Sequence, residues 1–199
     1  METPAWDSAL LHQINGIWHF PVLDALMPLC SEAWMLLPVL GLALLHVCLK
    51  DRAFNWKRLL RVAGLCLLAV IAAQMASQEA KRLTERQRPL HSLSDVRYYD
   101  AKLDAWRQTS DAYPSGADVS GSSFFSGHAA ESMALAAVLF LFLPALRGWI
   151  WLVPLLCGYS RVYMGEHYPS DVLVGWLAGV LIALLLWTLA REKPKKMQA

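Results

Sequence analysis

Uncharged, mostly apolar runs alternate with short charged connections along this chain. Five long runs lie between Lys, Arg, Asp or Glu residues, at 33–49, 62–78, 132–146, 148–160 and 172–190. A membrane-spanning helix needs about 20 mostly apolar residues, so the first, second and fifth runs nearly suffice as they stand. The third and fourth reach that length only with polar neighbours, 124–131 before the third and Arg161 after the fourth. We predict five spanning helices, two of which carry polar groups at membrane depth, where such groups are usually functional.

Composition supports a membrane protein. Of the 199 residues, 56% are hydrophobic and 17% are charged, which is too apolar for an ordinary soluble domain. We predict an all-α, polytopic membrane helical bundle. Its parts are an N-terminal interfacial segment (1–31), a transmembrane domain (32–193) with an extracytoplasmic loop (83–123), and a cytoplasmic tail (194–199). The four Cys residues lie in or beside apolar runs without CxxC spacing, so no disulfide is expected.

The distribution of positive charge predicts the topology. Residues 1–49 contain no Lys or Arg, whereas the connection 50–61 contains five. The positive-inside rule places that connection in the cytoplasm, together with Arg147 and the four positive charges after residue 190. The N-terminus then lies outside. Eight positive charges lie on the outer side against this bias and need another explanation: Lys81, Arg82, Arg86, Arg88, Arg97, Lys102, Arg107 and Arg161.

Two segments are ambiguous. Residues 5–28 have the length of a sixth span, but their polar residues and prolines favour an interfacial segment anchored by Trp6 and Trp18. No basic region precedes this segment, so a cleaved signal peptide is not expected. In the loop 83–123, Tyr98, Tyr99 and Trp106 alternate with charges. This pattern suits a short amphipathic helix on the outer leaflet, and an ordinary solvated loop is the alternative.

Polar residues converge at the outer ends of four predicted helices. They are Lys81 and Arg88 after the second helix, Ser126, Gly127 and His128 at the start of the third, Arg161 at the end of the fourth, and His167 and Asp171 at the start of the fifth. Three permanent cations beside a helix N-terminus form a site for an anion, and phosphate fits this charge best. The same cations repel a divalent metal ion, so we expect no metal.

His167 and Asp171 are four residues apart. On a helix, this spacing allows the carboxylate to accept a hydrogen bond from one imidazole nitrogen and leaves the other nitrogen free as a base or nucleophile. Taken alone, Ser126 is equally well explained as a helix N-cap and Gly127 as a point of close backbone approach.

Taken together, these segments resemble the type 2 phosphatidic acid phosphatase family, whose motifs are Lys-x6-Arg-Pro, Pro-Ser-Gly-His and Ser-Arg-x5-His-x3-Asp. The first motif is present as KRLTERQRP from Lys81, the second as FSGH from Phe125, and the third as SRVYMGEHYPSD from Ser160. Phe125 replaces the proline of the second motif. Loss of this proline is expected to relax the backbone that enters the third helix and to alter substrate preference.

The resemblance implies a mechanism. His167 would be the nucleophile that forms a phosphohistidine, Asp171 would orient it, and His128 would protonate the leaving oxygen. Phosphoryl oxygens would be held by the remaining motif residues: Lys81, Arg88, Ser126, Gly127 and Arg161. No cofactor is implied. An acid and a nucleophile with opposite protonation states predict a bell-shaped pH profile.

The resemblance also suggests a substrate and a location. We expect a lipid phosphate hydrolysed at the outer face of a bacterial inner membrane, with undecaprenyl pyrophosphate as the first choice. Phosphatidylglycerophosphate, phosphatidic acid and lipid A are alternatives that would use the same residues. A lipid phosphotransferase and a transporter are more remote alternatives. The expected partners are the lipid substrate and membrane lipids, with no nucleic acid, and the oligomeric state cannot be read from the sequence.

Overall fold

The computed structural model describes residues 3–32, 36–50, 55–109 and 122–191. In these ranges the fold is mostly helical. The helices are α1 (Ala5–His12), α2 (Pro21–Ser31), α3 (Leu36–Lys50), α4 (Trp56–Leu83), α5 (Pro89–Ser92), α6 (Gly127–Phe142), α7 (Leu152–Tyr163) and α8 (Pro169–Ala190). A π-helical turn (Gln13–Ile17) follows α1, and a 3-10 turn (Pro144–Leu146) follows α6. Two short strands, β1 (Arg97–Asp100) and β2 (Ala105–Gln108), form an antiparallel hairpin.

The core is centred on α6, whose buried face is rich in alanine and packs against α4 and α8. Small residues let these helices approach closely. A Cβ atom added to Gly175 would lie 2.6 Å from the Ser126 carbonyl oxygen, and one added to Gly179 would lie 2.5 Å from the Ala130 carbonyl oxygen. The two glycines of α8 therefore pack inside the chain, where backbone contact replaces side-chain volume.

The predicted helical membrane bundle is confirmed. All five predicted runs contain a helix, although residues 33–35 lie outside the described part of the chain. Among the helices of the described ranges, α4 and α8 are long and apolar enough to cross a membrane, and α2 and α6 are shorter apolar helices. The fourth run is helical from Leu152 rather than from 148, because residues 147–151 form a turn between the 3-10 turn and α7. At the end of α4 opposite Lys81, Arg58 Nη2 donates to the carbonyl of Phe142 at 2.7 Å.

A sixth span through residues 5–28 is absent from the fold, because α1 and the π-helical turn end before Trp18 and α2 begins only at Pro21. Trp6 and Trp18 are about half exposed. One residue of the turn, Asn15, is fully buried and ties this segment to the rest of the chain. Its Nδ2 donates to the carbonyls of Arg97 and Tyr163, each at 2.7 Å.

The prediction of an amphipathic helix at Tyr98, Tyr99 and Trp106 is wrong, because these residues lie in the β-hairpin. Tyr99 pairs with Trp106, and their rings are 5.7 Å apart. Alternation with a period of two and aromatic side chains both favour strands. Arg97 donates to Asp24 of α2 at 2.9 Å, which accounts for one of the positive charges on the outer side. Residues 110–121 of the predicted loop lie outside the described residues.

Candidate active site

The start of α6 lies directly against the start of α8. The backbone N–H of Ser126 donates to the carbonyl of Asp171 at 3.1 Å, and Ser126 Oγ caps α6 by accepting from the N–H of Ala129 at 3.4 Å. Phe125 is buried in the core, and its carbonyl accepts a hydrogen bond of 3.0 Å from Ser77 Oγ of α4. These contacts fix the backbone entering α6 from both sides. The position that the motif gives to proline is thus constrained by packing and hydrogen bonds.

His167 lies just before α8 and is 1% exposed. Its Nδ1 is 2.8 Å from the carbonyl oxygen of Ser123, and because a carbonyl only accepts, Nδ1 carries the proton. The expected direct bond to Asp171 is not formed, since the distance from Nδ1 to Asp171 Oδ2 is 3.8 Å. The reason is that α8 begins only at Pro169, so His167 and Asp171 do not share a helical turn. Nε2 is left as the unprotonated nitrogen.

Asp171 is fully buried and reaches His167 through Ser123. Ser123 Oγ donates to Asp171 Oδ2 at 2.5 Å and lies 3.4 Å from His167 Nδ1. The N–H of Tyr168 donates to the same carboxylate oxygen at 3.0 Å. The other oxygen, Oδ1, accepts from Arg86 Nη1 at 2.5 Å. A carboxylate with this many donors is held ionised beside the histidine.

The three predicted cations gather around the same point. Lys81 is within electrostatic range of Arg88, Arg161 and Asp171, and His128 is within range of Lys81, Arg161 and His167. Lys81, Arg88, His128 and Arg161 are partly buried, whereas Ser126, Gly127, His167 and Asp171 are buried. The structure therefore brings all eight predicted site residues together.

Glu166 occupies the space between the two arginines. Its Oε2 is hydrogen-bonded to Arg88 Nη1 and lies 3.5 Å from Arg161 Nη2. Burial works against ionisation of this carboxyl group, but the charges of Arg161 and Arg88 outweigh it and hold the pKa of Glu166 below its ordinary value. The buried Nε atoms of Arg88 and Arg161 have no hydrogen-bond partner among the described residues. The arginines thus retain donors for an anion.

The protonation state of His167 follows from its surroundings. Burial, together with the nearby charges of Arg161 and Arg88, lowers the pKa of His167 to about 4, although Asp171 opposes this shift. The imidazole is consequently neutral at pH 7. A neutral imidazole with its proton on Nδ1 presents the Nε2 lone pair, which is the form that a nucleophile requires.

Sequence reasoning missed four residues of this site: Asp7, Arg86, Ser123 and Glu166. Arg86 lies inside the first motif, and it is one of the outer positive charges left unexplained above. Glu166 directly precedes His167 in the third motif. Ser123 ends the predicted loop, and Asp7 lies in α1, so neither carries a local signal. Among the described residues, no group of three or more His, Cys, Asp or Glu side chains could hold a metal ion.

Comparison with known proteins gives a family match. The family model described as the PAP2 superfamily matches residues 63–195. A lipid A 4'-phosphatase of Bacteroides thetaiotaomicron is 28% identical over 201 aligned positions, covering 97% of this chain and 80% of that protein. An undecaprenyl-diphosphatase of Sulfolobus acidocaldarius is 42% identical over 67 positions, covering 32% of this chain and 31% of that protein.

Two crystal structures share the fold. Aquifex aeolicus LpxE superposes with a TM-score of 0.68 at 23% identity, over 94% of this chain and 98% of that one. A transmembrane PAP2-type phosphatidylglycerolphosphate phosphatase from Bacillus subtilis gives a TM-score of 0.62 at 23% identity, over 98% of this chain and 88% of that one. At this level of identity the likeness concerns the fold.

Proposed function

This chain belongs to the PAP2 superfamily and is a membrane lipid phosphatase, and we propose that its substrate is the phosphate monoester of a lipid A-type glycolipid. The proposal differs from the first choice made on the sequence, undecaprenyl pyrophosphate. It is supported by the lipid A 4'-phosphatase of Bacteroides thetaiotaomicron, because that alignment runs through the N-terminal segment and the hairpin as well as the motifs. These two regions, namely α1, α2 and the β-hairpin, are called the outer wall of the site below, because α1 contacts Ser170 and α2 contacts Arg161.

The observation that carries the catalytic proposal is the environment of His167. In the proposed reaction, Nε2 of His167 attacks phosphorus, the bond to the leaving oxygen breaks, and that oxygen takes a proton from His128. Water then gives a proton to His128 and attacks the phosphohistidine, which breaks the nitrogen–phosphorus bond and releases phosphate. Asp171 and the Ser123 carbonyl oxygen stabilise the positive charge that the phosphorylated imidazole acquires.

Lys81, Arg88 and Arg161, with the N-terminus of α6 at Ser126 and Gly127, are proposed to hold the phosphoryl oxygens. Charge spreads over these oxygens in the transition state, so fixed donors act mainly there. We propose that Glu166 competes with phosphate for the two arginines, because its carboxylate already binds Arg88 Nη1 and lies 3.5 Å from Arg161 Nη2.

An apolar cavity beside His128 supports a lipid substrate. The cavity has a volume of about 210 Å³, and α3, α6 and α7 contribute to its walls. His128 and Glu131 are its polar residues from α6, and its apolar lining includes Val39, Trp149, Leu152, Val153 and Leu156. We propose that an acyl chain enters this cavity while the phosphate reaches the cations. The site is proposed to face the extracytoplasmic side of the inner membrane.

Undecaprenyl pyrophosphate remains a second candidate because of one observation. The undecaprenyl-diphosphatase of Sulfolobus acidocaldarius shares a higher sequence identity with this chain, 42%, than the lipid A 4'-phosphatase does at 28%. The higher identity extends over 32% of the chain, compared with 97%. Both substrates present a phosphate at the membrane surface to the same residues.

The proposal is tested by phosphate release from the purified protein in detergent with EDTA present. Lipid A, undecaprenyl pyrophosphate, phosphatidylglycerophosphate and phosphatidic acid are compared at equal concentration, and the lipid products are analysed to detect phosphate transfer to another lipid. We expect the highest kcat/KM with lipid A, and no activity in His167→Ala. His19→Ala, at an exposed histidine of the N-terminal segment, is the matched control and should retain activity. An active His167→Ala variant, a requirement for metal, or a clear preference for another lipid contradicts the corresponding part of the proposal.

A further inference from the structure

Arg86 lies between two buried carboxylates from opposite ends of the chain. Its Nη2 donates to Asp7 Oδ2 of α1 at 2.7 Å, and its Nη1 donates to Asp171 Oδ1 of α8 at 2.5 Å. Arg86 is 2% exposed, both carboxylates are 0% exposed, and the guanidinium lies 4.1 Å from the ring centre of Tyr168. Asp7, Arg86 and Asp171 are called the buried ion chain below.

Asp7 also holds the first turn of α8. Its Oδ1 accepts from the N–H of Ser170 at 2.9 Å, and its Oδ2 accepts from the hydroxyl of Ser170. Ser170 directly precedes Asp171, so one carboxylate fixes both the guanidinium that binds Asp171 and the backbone that carries it. A helix N-terminus favours a negative charge at this position.

The charges of the buried ion chain do not cancel. One guanidinium faces two carboxylates, which leaves an excess negative charge close to His167. Removing one member of a buried, paired set leaves the others uncompensated. If Asp7 were neutral, Arg86 would be paired with Asp171 alone, and the carboxylate would act more weakly on the imidazole.

We propose that Asp7 of the N-terminal helix is a positioning residue for the reaction, acting through Arg86 on Asp171 and thereby on the basicity of His167. This inference rests on the proposed catalytic role of His167. It assigns the N-terminal segment a part in catalysis in addition to any role in membrane contact.

Other charged groups also face His167 and remain in place in the test. They are Arg161 from α7, Arg88 before α5, Glu166 beside the histidine, and His128 from α6. Lys81 of α4 faces Asp171, and Glu85 lies next to Arg86 at the outer opening. None of these charged groups contacts Asp7 in the described part of the chain, so a change at Asp7 reaches His167 through Arg86 or through Ser170 and the first turn of α8.

The test compares Asp7→Asn and Arg86→Gln in the full-length protein. Asp7→Asn should shift the acid limb of kcat/KM to lower pH, because Arg86 then neutralises Asp171 and His167 becomes less basic. Arg86→Gln should shift this limb to higher pH, because Asp171 loses its cation. We expect kcat of Asp7→Asn to fall about tenfold with KM little changed, by analogy with groups that orient metal-binding histidines. Glu79→Gln, an exposed acid paired with Arg82, is the matched control.

A purely structural role for Asp7 would lower thermal stability and leave the acid limb in place, and this result would overturn the inference. If Asp7→Asn does not fold, the test rests on Arg86→Gln. An acid limb of kcat/KM at the same pH as in the wild type would then reject the proposal. A second readout needs no substrate, namely the titration of His167 followed by nitrogen-15 NMR of histidine-labelled protein. Shifts of opposite sign in the two variants support the ion chain even if the wild type hydrolyses no lipid tested. If both shifts are seen and the wild type hydrolyses none of the lipids, the proposed function is refuted and the inference about Asp7 stands.

Discussion

The two walls of the active site are held together by different forces. On the inner wall, α4, α6 and α8 meet through alanine, serine and glycine, and backbones touch at Gly175 and Gly179. On the outer wall, α1, α2 and the hairpin are joined to α7 and α8 by polar side chains, chiefly the buried Asn15 and Asp7 and the partly exposed Asp24. We infer that the inner wall is sensitive to added volume, whereas the outer wall is sensitive to any lost hydrogen bond.

Most of the groups proposed to hold phosphate lie on the inner wall or in the segment that follows α4, so the largest effect on activity is expected there. Replacing Arg88 with Met removes a fixed donor to the phosphoryl oxygens. We expect kcat/KM to fall about 100- to 1,000-fold, or about 2.7–4 kcal/mol, because the donor acts mainly in the transition state. Thermal stability in detergent should change little, since the contact of Arg88 with Glu166 is partly exposed.

Arg82→Met is the control for this prediction. Arg82 lies on the same helix end as Lys81, but its side chain is 72% exposed and pairs with Glu79 at 2.7 Å. It should retain activity close to that of the wild type. Equal losses in the two variants would show that general surface charge, and not a donor in the site, supports the reaction.

The inner wall could be predicted from the sequence because its signals are local. The spacing from Lys81 to Arg88, the N-cap at Ser126 and the pair of His167 and Asp171 all fall within short motifs next to apolar runs. The mode of contact between His167 and Asp171 was not predictable, because it depends on where α8 begins. A shift of the helix start by a few residues turned an expected direct bond into one relayed by Ser123.

The outer wall could not be predicted for two physical reasons. The contacts of Asn15 with Tyr163 and of Asp7 with Ser170 join residues about 150 positions apart, and a single sequence carries no signal for such pairs. In addition, four-residue strands are too short to distinguish period-two alternation from one turn of an amphipathic helix. The sequence signal that bears on these contacts is the positive charge on the outer side, Arg86 and Arg97 among it, which the sequence alone leaves unexplained.

Asn15→Leu tests the outer wall directly. Leu has the same branched side-chain shape as Asn but none of its polar atoms, so the carbonyls of Arg97 and Tyr163 and the N–H of Arg97 lose their partner. Buried polar groups without a partner cost about 1–3 kcal/mol each, so with partial relaxation we expect a loss of roughly 2–3 kcal/mol in stability. Thermal unfolding in detergent measures it, with the exposed Gln108→Ala as control. Unchanged stability would mean that water or other groups replace Asn15.

Glu166→Gln tests whether this carboxylate competes with phosphate at the proposed phosphate site. The variant removes the carboxylate that competes for Arg88 and Arg161, so inorganic phosphate should inhibit about three- to tenfold more strongly, or about 1 kcal/mol. The pKa of Glu166 is held below its ordinary value, so the carboxylate is charged at neutral pH. The difference should therefore persist at pH 6–8 and disappear only in strong acid. Inhibition equal to that of Glu79→Gln would contradict this role.

The smallest effect is expected at Asp24, which joins α2 to the hairpin near the surface. Asp24 accepts from Arg97 at 2.9 Å and from the Tyr163 hydroxyl at 2.5 Å. Burial raises the pKa of Asp24, but these hydrogen bonds and the Arg97 charge outweigh it, and the pKa lies below its ordinary value. Its ionised form thus stabilises the fold above the unfolded pKa near 3.8, and the contribution disappears as pH falls through the lower folded value.

Asp24→Asn should therefore cost below about 1 kcal/mol at pH 7, because partly exposed ion pairs contribute little. The loss should diminish as pH falls below 3.8, where the unfolded chain takes up a proton, and vanish once the folded carboxylate is protonated as well. Chemical unfolding of the two proteins at pH 7 and pH 3 measures the difference, with Asp95→Asn as an exposed control. A loss of the same size at both pH values would assign the effect to packing of α2 against the hairpin. The outer wall would then depend on shape, as the inner wall does, and the contrast between the two walls would fail at this contact.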